Sequence, residues 1–123
     1  MKYLSLKDID AYVRAFKLSN YVWNLVIGWD SFAKYTIGQQ FVDAIDSISA
    51  NIAEGLGRYS KKDRIRFYRI SSGSLSESQD WNYKSVQRNL VTADQFNHIL
   101  KELEALPLEI NQLIKYTEKV LKH

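Results

Sequence analysis

The sequence predicts an all-α fold: an up-down-up-down four-helix bundle with long helices, assembling as a homo-oligomer. Three observations carry this expectation. Apolar residues recur at three- and four-residue spacing through four successive segments. Each segment opens with a hydroxyl residue followed three positions later by an acid or amide, the pattern of a helix capping box. One proline and five glycines are all that interrupt 123 residues, so elements can run long. One domain spans 1–123, enough chain to bury a core of its own.

The first helix is expected to open at Ser5, with Asp8 returning the capping bond. Ile9, Tyr12, Val13, Phe16, Trp23 and Ile27 form one stripe, interrupted by Asn20. Leu18, Val22, Leu25 and Trp29 form a second on nearly the opposite side, and both need burial. Asp30 to Tyr35 makes the connection. The second helix is expected to begin at Thr36, with Gln39 completing its box. Its core face is Ile37, Phe41, Ala44, Ile48 and Ile52. A polar seam of Ser47, Asn51, Glu54 and Arg58 runs beside that face. Gly55 and Gly57 end it, since glycine tolerates the left-handed conformation that closes helices.

Ser60 and Asp63 open the third helix. Ile65, Tyr68, Ser72, Leu75, Gln79, Tyr83, Val86 and Leu90 are its expected core stripe. A second face carries Phe67, Ile70, Ser74 and Trp81, with Ser71 and Ser78 alongside. A third carries Lys62, Arg66 and Arg69. Thr92 and Gln95 open the fourth helix. Phe96, Ile99, Leu103, Leu106, Ile110, Leu113, Thr117 and Val120 keep one phase through it. Because that phase holds across Pro107, the segment reads as one kinked helix rather than two.

A four-helix bundle uses one stripe per helix. The surplus residues Val22, Leu25, Trp29, Phe67, Ile70, Ser74 and Trp81 therefore mark an oligomer interface, since large exposed apolar patches usually do. The alternative is that helix ends cover them within one chain.

Net charge is +3, but its distribution is uneven. Residues 58–69 carry six cations against Asp63, a local +5, and leave the remainder of the chain net negative. Local basicity is the footprint of a polyanion partner. The candidate nucleic-acid contacts are Arg58, Lys61, Lys62, Arg66 and Arg69, with Tyr59 available to stack on an unpaired base. The alternative is a solvated helix face, or one that docks an acidic protein. Catalysis has little to work with. There is no cysteine, and the two histidines are His98 and His123. Gln95 stands where a di-iron bundle would need glutamate. No metal-ligand spacing occurs, so neither a metal nor another cofactor is expected. Gly55 and Gly57 lack the lysine and hydroxyl of a phosphate loop. No signal-peptide core stands near Met1, and Leu18 to Trp29 falls short of the about 20 residues of a bilayer span. A cytoplasmic, non-membrane protein is expected.

Gln40, Ala44, Ser47-Ile48, Asn51-Ile52-Ala53-Glu54-Gly55, Gly57-Arg58, Phe67, Gly73-Ser74 and Glu77 carry a specific pattern. It resembles the signature of four-helix bundle proteins linked to intervening sequences of bacterial large-subunit ribosomal RNA. A more distant similarity is to the accessory protein of diversity-generating retroelements. The resemblance implies a ring-like homopentamer with a basic surface that meets RNA, DNA or a nucleic-acid enzyme. Two positions depart from the family pattern: Asp43, where many relatives carry arginine, and Ser49, where they often carry proline. Asp43 removes positive charge from the second helix and leaves the cluster on the third intact.

Overall fold

The computed structural model describes residues 4–123, and every regular element among them is helical. A 3-10 turn, Leu6–Asp8, leads into α1, Asp10–Val26. One α turn, Ser31–Ala33, and one π turn, Lys34–Gly38, run directly into α2, Gln39–Leu56. The two longest helices follow, α3 at Lys61–Gln87 and α4 at Ala93–Val120.

The caps explain most of these boundaries. Ser60 Oγ accepts from the Asp63 amide at 3.1 Å. Thr92 and Gln95 exchange both bonds of a capping box, at 2.9 and 3.1 Å. The Asp8 carboxylate accepts from the Ser5 amide at 3.0 Å, but this pair closes the 3-10 turn and α1 starts two residues later. The expected box at Thr36 does not form. Asp30, extended at φ −61° and ψ 161°, caps the Ala33 amide at 3.1 Å and starts helical backbone upstream. Thr36, already inside that stretch, donates its hydroxyl back to the Phe32 carbonyl at 2.6 Å.

The helix ends differ from expectation too. No glycine among the described residues is left-handed, and Gly57 sits at φ −78°. The left-handed residue is Asn89, at φ 58°. Beyond α3, the Leu90 amide reaches the Ser85 carbonyl at 2.8 Å and the Asn89 amide reaches Val86 at 3.1 Å. That pair of bonds is a Schellman closure, which asparagine can also make.

Each helix packs on its chain neighbours, and α4 returns to α1. Residue pairs give the directions. Ser71 of α3 bonds to Ile48 of α2, while Tyr68 abuts Gly55. Asn82 of α3 bonds to Phe96 of α4, while Tyr68 meets Thr117. Arg14 of α1 pairs with Glu109, while the Tyr21 and His98 rings meet at 4.4 Å, tilted by 49°. All three interfaces are antiparallel, so the path is up, down, up, down.

The α2 core face matches expectation, with Ile37, Phe41, Ala44, Ile48 and Ile52 buried. On α4, Ile99, Leu103, Leu106, Ile110, Leu113 and Thr117 are buried, whereas Phe96 is half-buried and Val120, in the last turn of the helix, is exposed. α4 runs unbroken through Pro107. On α1 the stripes are exchanged. Ala11, Ala15, Leu18, Val22 and Val26 face the core, whereas Phe16, Trp23 and Ile27 are about half exposed. Small Ala11 and Ala15 let α1 approach closely, which larger side chains would prevent. On α3 the buried line is Tyr68, Ser71, Leu75, Ser78, Asn82 and Ser85. Only Tyr68 and Leu75 belong to the stripe expected from hydrophobicity. The serines enter the core because backbone carbonyls accept their hydroxyls: Ser71 to Ile48 at 2.7 Å, Ser78 to Ser74 at 2.8 Å and Ser85 to Trp81 at 2.7 Å.

Candidate nucleic-acid interface

The turn between α2 and α3 is held by its own polar groups. Arg64 Nε donates to the Arg58 carbonyl at 2.7 Å, satisfying backbone just past the end of α2. The Arg64 side chain is therefore committed to the turn. Gly55 allows the α3 approach, since a Cβ there would lie 2.6 Å from Tyr68 Cε1. The Lys61 amide donates to the His123 carbonyl at 2.7 Å, so the described end of the chain folds back on the start of α3.

The polar seam divides into two short networks. Asn51 Nδ2 donates to the Ser47 carbonyl at 2.8 Å and to Ser47 Oγ at 2.9 Å. Ser47 Oγ lies 2.8 Å from Ser74 Oγ, which ties α2 to α3. One turn on, Arg58 Nη2 pairs with Glu54 Oε1 at 2.7 Å. The Arg58 and Arg66 guanidiniums each stand 4.5 Å from the Phe67 ring centre. Cation–π attraction of this kind positions charge without neutralising it.

The cations thus fall into two groups. Arg58 is paired with Glu54, and Arg66 Nε stands 3.6 Å from Asp63 Oδ1 in an exposed, weak pair. The side chains of Lys61, Lys62 and Arg69 make no hydrogen bond or ion pair among the described residues. Lys62, Arg66 and Arg69 lie along one exposed row of α3, and Tyr59 beside them is 96% exposed. On α2, by contrast, burial and the nearby Asp43 carboxylate push the Asp46 carboxyl above the usual carboxylate range. That stretch of α2 is acidic and would repel phosphate.

The expected interface set is not one patch. Val22 is fully buried inside the chain, so no partner can reach it. The reason is the stripe exchange on α1. Leu25 and Trp29 are half-buried against the core from α1 and its exit, while Phe67, Ile70, Ser74 and Trp81 belong to α3. α1 and α3 stand on opposite corners of the bundle. Phe67 lies beneath two guanidiniums, and Trp81 donates to Glu77 at 3.2 Å under the Lys84 ammonium.

Some features escaped the sequence reading. Arg14 clasps two carboxylates of α4, Glu109 through Nε and Glu102 through Nη1, the latter at 2.9 Å. Hydrogen bonding to Glu109 leads the effects that raise the Arg14 pKa. The seven-residue spacing of Glu102 and Glu109 was the available signal. Phe32 and Tyr35 are 81% and 71% exposed. With Trp23, Ile27 and Val42, Tyr35 lines a cleft of about 310 Å³ between α1 and the start of α2. Among the described residues no cluster of His, Cys, Asp and Glu is arranged to hold a metal. None of the helices is long and apolar enough to cross a membrane.

The family model of the 23S rRNA-intervening sequence protein matches residues 7–112. The chain belongs to that family. A crystal structure of a protein of unknown function from the S23 ribosomal protein family of Bacteroides thetaiotaomicron has the same fold, with a TM-score of 0.77. The two are 19% identical over 85% of this chain and 98% of the other. No curated protein matches the chain. The matched segment takes in α1, α2, α3, both networks of the seam and the whole basic row.

Proposed function

We propose that this family member is a non-enzymatic, homo-oligomeric helical bundle that binds nucleic acid, RNA in the first instance, through the edge formed by the α2–α3 turn and the start of α3. The observation that carries the reading is the exposed row Lys62, Arg66 and Arg69, whose outer members have no ion-pair partner among the described residues. Structural arginines usually find carboxylates, as Arg14 and Arg58 do here. Unpaired cations at successive turns contact successive phosphates and release their counterions. Arg58 and Lys61 extend the edge, and Tyr59 offers a face for base stacking. The family's link to intervening sequences of 23S rRNA supports a ribosomal RNA partner, and a cytoplasmic location is in keeping with such a partner.

The oligomer, a pentamer by the family resemblance, is supported by the half-exposed Phe16, Trp23 and Ile27 of α1. Copies around a ring would present the basic edge repeatedly, which raises avidity for a long strand. Titration of single-stranded and duplex RNA at low and moderate salt tests the reading. We expect binding that weakens steeply with salt. Lys62→Glu with Arg69→Glu should abolish it and leave the far-ultraviolet circular dichroism unchanged. No affinity at low salt would overturn the proposal and leave the basic edge to an acidic protein partner.

A further inference from the structure

Arg69 belongs to two features at once. It ends the basic row, and it stands at the mouth of a groove of about 570 Å³ between α3 and α4. The floor of that groove is apolar, formed by the buried Leu75 and Ile114. Gln79 and Asn111 also line it, as do Pro107 and Leu108, the latter 64% exposed. Arg69, Gln79 and Asn111 make no hydrogen bond through their side chains to any described residue. The polar ends of these three side chains therefore remain available to a ligand. The groove's volume lies within the about 300–1,000 Å³ typical of sites for small organic groups.

We infer that this α3–α4 groove holds one unpaired nucleotide of a single strand whose phosphates follow Lys62, Arg66 and Arg69. An aromatic base is flat and apolar on its faces and polar at its edge. Leu75, Ile114 and Leu108 match the faces. Gln79 and Asn111 each offer a donor and an acceptor to the edge. Arg69 holds the adjoining phosphate, and its fork suits that group. A base in duplex could not enter, so the groove selects unpaired strand over helix. This inference rests on the nucleic-acid reading above and adds a base-recognition site to it.

The test uses a fluorescein-labelled 12-nucleotide oligouridylate, the same strand with three central abasic sites, and a 12-base-pair RNA duplex. Polarisation at low salt gives each affinity. For the unaltered chain we expect the abasic strand to bind at least about tenfold more weakly than the intact one, the scale of losing a base contact. Gln79→Ala with Asn111→Ala should lower affinity for the intact strand toward that of the abasic strand and leave abasic binding unchanged. Asn111→Ala alone, at an exposed position, serves if the double variant folds poorly. Equal binding of intact and abasic strands would overturn the groove, as would unchanged affinity in the amide variants. In either case, salt-dependent binding lost in Lys62→Glu would leave the basic edge standing. No binding of any strand at low salt would remove both proposals together.

Discussion

Two glycines show how one residue type serves opposite ends. Gly73 lies exposed within α3, and a Cβ there would meet nothing within 4 Å. Gly73→Ala should therefore stabilise the fold by about 1 kcal/mol, the helix-propensity difference between the residues. Gly55 is also helical, but its Cβ would stand 2.6 Å from Tyr68 Cε1 and 3.0 Å from the Arg64 carbonyl oxygen. Tyr68 is 1% exposed and cannot swing aside. Overpacking of about 1–3 kcal/mol then outweighs the propensity gain. Urea unfolding should move the two midpoints in opposite directions. Tyr68 has a second signature. Burial leads the shift of its phenol above the ordinary range, against opposing effects of the Arg64 charge and the Thr117 hydroxyl. The unfolded chain releases that proton near pH 10, so it binds fewer protons than the folded chain above that pH. Stability must then fall as pH rises past about 10. Tyr68→Phe should flatten this alkaline limb, because it removes the titrating phenol.

The clasp between α1 and α4 shows what one cation contributes to an element. Arg14 ties Glu102 and Glu109 two turns apart on α4, and the three side chains are 31%, 22% and 16% exposed. Pairs this sheltered are worth more than surface pairs, and losing one partner leaves the others desolvated. Arg14→Met should cost about 2 kcal/mol, between the surface and buried limits, in thermal or urea unfolding. Adding Glu109→Gln should recover part of that loss, because it removes a carboxylate left without its cation. The helices themselves were legible in the sequence, because the patterns at Ser60–Asp63 and Thr92–Gln95 state their own capping geometry. Faces were legible only where apolar bulk marks burial. On α1 the core face is drawn by Ala11 and Ala15, which carry little hydrophobic signal, while Trp23 and Phe16 point outward. On α3, buried Ser71, Ser78 and Ser85 read as polar until their carbonyl partners are seen. The basic edge was readable as charge. Its division into committed Arg64, paired Arg58 and free Lys62 and Arg69 needed the fold, since it depends on which carboxylates and carbonyls lie within reach.

At the scale of the whole molecule, charge and apolar surface are separated. Positive charge gathers at the α2–α3 turn, while exposed Trp23, Ile27, Phe32 and Tyr35 gather where α1 hands over to α2. Water-facing aromatics of this size are a cost unless something covers them, and a second copy of the chain can do so. Trp23 and Ile27 lie one turn apart beside the cleft shared with Tyr35, so one substitution can spoil the face. Light scattering should give a mass several times 14.3 kDa for the unaltered chain. Trp23→Glu should shift it toward 14.3 kDa, because partner binding would desolvate the new carboxylate. The substitution touches a side chain that is 52% exposed, so helicity and the urea midpoint of the monomer should hold. Trp81→Glu provides the contrast on α3, where Trp81 is half-buried against Glu77 and Lys84. Dissociation by Trp81→Glu alone would move the interface to α3, and by Trp23→Glu alone would fix it on α1. A monomer in the unaltered chain would overturn self-association and with it the repeated basic edge. RNA binding by such a monomer would then rest on a single row of cations, with a correspondingly shallower dependence on salt.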